Sequence, residues 1–226
     1  MVSSQLEVAV TAAALKPKFR GVSHQYAFFV SIITGVVLVL LASGTRATTA
    51  AIIYAVAVSA LFGTSALYHR VNWSTQAARR WMRRLDHTMI FVLIAGTFTP
   101  VCLLVLQGTI GTVLLAVVWG GALLGVVFKF VWIDAPKWLI AVLYVALGWV
   151  AVIAFPELLD RAGWTAFGLL LGGGLLYSIG AVVYATKKPD PVPSVFGYHE
   201  VFHVLVIGAA ALHYACISLF VLPFAA

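Results

Sequence analysis

Seven apolar stretches, each nearly free of charge, leave this chain few ways to fold. A helix needs about 20 residues to cross roughly 30 Å of hydrocarbon. The stretches 26–42, 48–69, 85–106, 109–130, 138–155, 164–184 and 199–222 all lie near that length. Composition agrees, since 63% of the 226 residues are hydrophobic and 9% are charged, against about 25% charged in soluble domains. Within lipid the backbone must satisfy its own polar groups, which a helix does. The expected fold is therefore all-α, a polytopic membrane protein with seven transmembrane helices in one bundle. Connections are short except over 70–84 and the proline-rich 187–197, which argues for one transmembrane domain over 26–226 behind an N-terminal tail, 1–25.

Basic residues orient such a chain because they are retained on the cytoplasmic side. With the N-terminus inside, twelve of the fourteen Lys and Arg fall inside and only Arg46 and Arg161 fall outside. The expected topology is N-terminus cytoplasmic, C-terminus outside. The same bias accounts for the +7 net charge without invoking nucleic acid. The arginines at 70, 79, 80, 83 and 84 could meet acidic lipid headgroups, but topology control explains them. Residues 1–21 lack the long apolar core of a signal peptide, so the tail is expected to be uncleaved. Cys102 and Cys216 sit in apolar stretches and suggest neither a disulfide framework nor a thiolate metal site.

The polar residues left over carry the chemistry. His199 and His203 are four apart at the start of the last apolar stretch, so both rings share a helical face. Imidazole is a preferred zinc ligand, and ionisable groups inside a membrane are functional candidates. Ser65 and His69 lie one turn apart at the end of the second stretch, and Asp86 lies at the start of the third. The second helix exits to the cytoplasm where the third and seventh enter, so topology gathers His69, Asp86, His199 and His203 at one depth. Three histidine nitrogens with a fourth position left for water make the pattern of an open catalytic Zn2+ site. Asp86 would then take a hydrogen bond from that water, and Ser65 would orient His69 or stabilise charge on a carbonyl oxygen. Singly, an interfacial histidine or a membrane serine is ordinary; the constellation is what points to metal.

His87 points about 100° away from Asp86 and is left out of the metal shell. His24, ahead of the first helix and on the same side, could stand behind the metal ligands, but an interfacial place is the expectation. His213 is about 15 Å deeper than His203 along a helix, so it needs another partner. Gly121/Gly125 and Gly168/Gly172 have small-xxx-small spacing for close packing. Pro100 should kink the third helix. Trp73, Trp81, Trp132, Trp138 and Trp164 fall near helix ends as an aromatic belt would.

Ser65-x3-His69, Arg84-Leu85-Asp86 with 94–100, and His199-Glu200-Val201-Phe202-His203, together with Gly21-Val22-Ser23-His24, resemble the hemolysin III family of the progestin and adipoQ receptor superfamily. The resemblance implies seven helices, a cytoplasmic N-terminus and zinc on His69, His199 and His203, with Asp86 at the zinc water and Ser65 nearby. It implies a bacterial plasma membrane location. The wider superfamily resembles lipid-acting hydrolases, which supports hydrolysis of a lipid amide or ester, with membrane lipids as partners. The bacterial branch is associated with hemolysis by name and with membrane lipid homeostasis.

Three functions compete on sequence. One is a membrane zinc hydrolase using Asp86. A second is an intramembrane protease using the literal His199-Glu200-x-x-His203, with Glu200 as base. The third is a sensor, transporter or pore-former with structural zinc. Substrate and oligomeric state are not legible.

Overall fold

The computed structural model describes residues 16–106 and 108–225, so most of the expected tail lies outside the described residues. The chain is all-helical, with an isolated bridge between Val192 and Phe196 and no strand among the described residues. Its α-helices are α1 (Val22–Leu41), α2 (Gly44–Arg70), α3 (Gln76–Pro100), α4 (Gly108–Val131), α5 (Lys137–Trp149), α6 (Phe155–Thr186) and α7 (Tyr198–Cys216).

Among the described residues, 6 helical stretches are long and apolar enough to cross a membrane. The fifth, Lys137–Thr186, has 50 residues, which at 1.5 Å each would span about 75 Å if straight. It is not straight. A 3-10 segment, Val150–Ala154, follows α5, and Gly163 breaks α6 with φ 79° and ψ 174°. The limbs on either side pack against each other. A break between the fifth and sixth apolar stretches is expected from sequence, but residues 156–162 are helical rather than loop.

The core is apolar, with Phe91, Val105 and Val118 buried in it, but the bundle's exterior is apolar as well. On α1 the buried residues are His24, Ser31, Gly35 and Leu38, while Phe29, Val30, Ile33, Val36 and Leu40 face outward. Ser31 is satisfied inside, donating to the Phe28 carbonyl (2.7 Å) and lying 3.1 Å from Ser59 on α2. On α4 the exposed residues include Leu123, Leu124 and Val127. Apolar surface this extensive suits lipid rather than water. Trp81, Trp132, Trp138 and Trp164 are exposed near helix ends, as an aromatic belt requires.

Helix α3 starts at Gln76, well ahead of the expected 85, because Thr75 caps it by accepting from the Ala78 amide at 3.1 Å. The arginine-rich turns 79–84 are therefore helical, and Asp86 lies inside α3 rather than at its start. Arg80 and Arg83 both pair with Asp134 in the α4–α5 connection. The Arg83 hydrogen bond and charge hold the Asp134 carboxyl below its usual range. Pro100 ends α3, and the next five residues, Val101–Val105, are π-helical. Proline has no amide to offer the Gly96 carbonyl, so the ladder shifts register there.

Glycines set the helix spacing, though not all in the expected pairs. Gly125 receives the Phe91 ring of α3 and Gly121 receives Leu147 of α5, since a Cβ on either would collide with those side chains. Gly168 faces open space, and Gly173 is the position pressed against the His213 ring. Replacing Gly125 by Leu should therefore cost about 1–3 kcal/mol by overpacking against Phe91. Gly120→Ala, on the same helix where a Cβ meets nothing within 4 Å, should be nearly neutral. Thermal midpoints of the two variants in detergent check this.

Candidate metal centre

Three helices end or begin at one face of the bundle, and their polar residues meet there. His69 lies in the last turn of α2, and His199 and His203 lie in the first two turns of α7. All three are buried. Their ligand nitrogens lie within 4.8 Å of one another. The Nε2 atoms of His69 and His199 are 3.1 Å apart, and the ring centroids of His199 and His203 are 4.5 Å apart.

These residues fit a metal ion by the chemistry of the donor set. Zinc bonds of about 2.0–2.1 Å place tetrahedral nitrogens roughly 3.4 Å apart, and the observed separations bracket that value. The Nδ1 of His203 is buried without a hydrogen-bond partner, a cost that ligation through that nitrogen, or a water, would relieve. Three nitrogens with no carboxylate among them leave a tetrahedral ion one open position. Asp86 stands just outside, its Oδ2 3.8 Å from His69 Nε2. Ser65, one turn before His69, faces the Asp86 carboxyl.

A cavity of about 190 Å³ runs from this cluster into the bundle. Ser65, Asp86, His199 and His203 line one end, and walls such as Leu114 and Leu158 are apolar. His213 also lines it, which places the cavity along about 15 Å of α7 given 1.5 Å per residue. The expected need of His213 for a partner is met at Nε2 by the Leu170 carbonyl, 3.1 Å away, while its Nδ1 is buried without one. His87 lines the cavity but stands outside the three-histidine group.

Two residues lie otherwise than their sequence context suggests. His24 is not interfacial: it lies in the first turn of α1, is 3% exposed and sits against the cluster. Its sequence signals are a place just ahead of an apolar stretch and the Gly21-Val22-Ser23-His24 segment. Glu200 is engaged structurally rather than free for chemistry. It pairs with Arg20 at 2.5 Å and accepts from the Gly197 amide at 2.9 Å, closing the N-terminus of α7. Arg20 itself belongs to a segment tied to the 188–197 connection by Lys18 and Phe19 amides donating to the Ser194 and Val195 carbonyls. Arg20→Met should leave Glu200, 1% exposed, without its counter-charge and cost about 3 kcal/mol. Adding Glu200→Gln should recover part of the loss. An unchanged thermal midpoint in Arg20→Met would show that the pair does not hold this segment.

Helices with lipid-facing exteriors and a buried histidine cluster able to hold a metal ion define an integral membrane protein with a candidate metal centre. Residues 12–214 match the family described as Haemolysin-III related. Hemolysin-3 of Bacillus cereus is 32% identical over 205 residues, covering 89% of this chain and 90% of its own length. The Hemolysin-3 homolog of Bacillus subtilis is 35% identical over 165 residues, 73% of this chain and 74% of that protein. The human monocyte to macrophage differentiation factor is 26% identical over 168 residues, 73% and 67% of the two chains. The chain belongs to the hemolysin III family, within the progestin and adipoQ receptor superfamily.

Proposed function

We propose that the protein is a zinc-dependent hydrolase of a lipid amide or ester. It acts in the cytoplasmic leaflet of the bacterial plasma membrane as a single domain of seven crossings, N-terminus inside. The observation that carries this reading is the convergence of three buried histidines and Asp86 at one end of an apolar cavity within the bundle. The folded 50-residue stretch supports two crossings there, and the basic-residue bias supports the orientation.

Each residue has a task in that reading. His69, His199 and His203 hold the ion through neutral ring nitrogens. An ion held there would supply Lewis acidity towards a carbonyl oxygen and a lowered pKa for water. Asp86, 3.8 Å from a ligand nitrogen, is placed to accept the proton of the attacking water. The Ser65 hydroxyl orients the Asp86 carboxyl. The cavity walls take the lipid chain and keep water from the rest of the site. Turnover of a resident lipid would give the protein a role in membrane lipid homeostasis. The protease reading loses support because both Glu200 oxygens are engaged, one by Arg20 and one by the Gly197 amide.

The test is metal content of the purified protein together with hydrolysis of long-chain amide and ester lipids in mixed micelles. A protein that binds no zinc, or an Asp86→Asn variant that keeps the full rate, overturns the reading.

A further inference from the structure

His24 is the fourth imidazole at the cluster, and the metal reading above leaves it without a task. Its ring lies parallel to that of His203, with centroids 3.7 Å apart and planes 11° apart. Its Nδ1 lies 2.8 Å from the Ser65 hydroxyl oxygen. Phe62 of α2 meets it edge-on, with centroids 5.1 Å apart. One side chain on α1 thus touches both a candidate ligand on α7 and the serine on α2 that faces Asp86. Contact of this kind has a physical consequence. A metal-ligating imidazole binds well only when its ring is held in the plane that directs a nitrogen at the ion, and outer partners supply that restraint. His203 makes no other restraint of comparable closeness within the cluster, since its rings to His69 and His199 are 5.2 and 4.5 Å away at steep angles.

We infer that His24 is a positioning residue, whose stacked ring sets the plane of His203 and whose Nδ1 holds the Ser65 hydroxyl towards Asp86. The inference rests on the zinc-site reading and extends it to α1. The two contacts are separable. His24→Phe keeps a flat ring against His203 and loses the hydrogen bond to Ser65. His24→Asn keeps a polar group near Ser65 and loses the stack.

The experiment measures zinc affinity by chelator competition and the visible spectrum of the cobalt-substituted protein, neither of which needs turnover. His24→Ala and His24→Asn should bind zinc about 10–100-fold more weakly, the range found when outer partners of metal ligands are removed, with altered cobalt bands. His24→Phe should keep near wild-type affinity and bands while hydrolysis falls, as it should in Ser65→Ala. Should His24→Ala fail to fold, His24→Asn and His24→Phe still decide the matter. Wild-type affinity and spectrum in His24→Asn overturn this inference alone. A wild-type protein that binds no zinc overturns the metal reading and this inference with it.

Discussion

His203→Ala is expected to abolish zinc binding, with affinity falling by more than about 100-fold. Removing an outer partner of a metal ligand costs about 10–100-fold, and a ligand itself contributes more. The purified wild-type chain should carry about one zinc, since the three nitrogens form one site. Because His69 closes α2 while His199 and His203 open α7, the ion would also hold two helices together. Zinc at about 1,000 times its dissociation constant would stabilise the fold by roughly 4 kcal/mol. A chelator should therefore lower the thermal midpoint of the wild type and leave that of His203→Ala unmoved. Elemental analysis and midpoints with and without chelator read both effects. Full metal content in His203→Ala would place the ion elsewhere.

Asp86→Asn is expected to keep zinc and lose hydrolysis by about 10²–10⁴, the usual contribution of a positioned acid–base group. The amide has nearly the shape of the carboxyl, so the histidines should hold their places, but it cannot take the proton from water. Glu200→Gln should behave in the opposite way. Its amide oxygen can still accept from the Gly197 amide, the ion pair with Arg20 is lost, and the rate should fall far less than in Asp86→Asn. The ratio of the two rates, measured on protein of equal zinc content, separates the hydrolase from the protease. A larger loss in Glu200→Gln would return Glu200 to the chemistry.

How much of this was legible in the chain differs from residue to residue. His69, His199 and His203 were recognisable because each lies near the end of an apolar stretch, and the order of the stretches brings those ends to one face of the bundle. Asp86 was legible for the same reason, although the start of its helix was not. Hydropathy marks the apolar part of α3, whereas the helix begins at the Thr75 cap and carries its arginines on the way in. Glu200 was misleading because a five-residue motif cannot show that Arg20, 180 positions away, already occupies the carboxylate.

The sequence by itself determined the class of protein, the apolar segments and the depth at which the histidines gather. These depend on local quantities: hydrophobicity summed over a helix length, and charge at its ends. Only the tertiary structure decided that His24 stacks on His203 and that Gly173 rather than Gly168 makes room for a neighbour. Those depend on how far each helix is rotated about its axis and how closely two helices approach. That is set by side chains such as Phe91 seated on Gly125, contacts between residues far apart in the chain that no local pattern encodes.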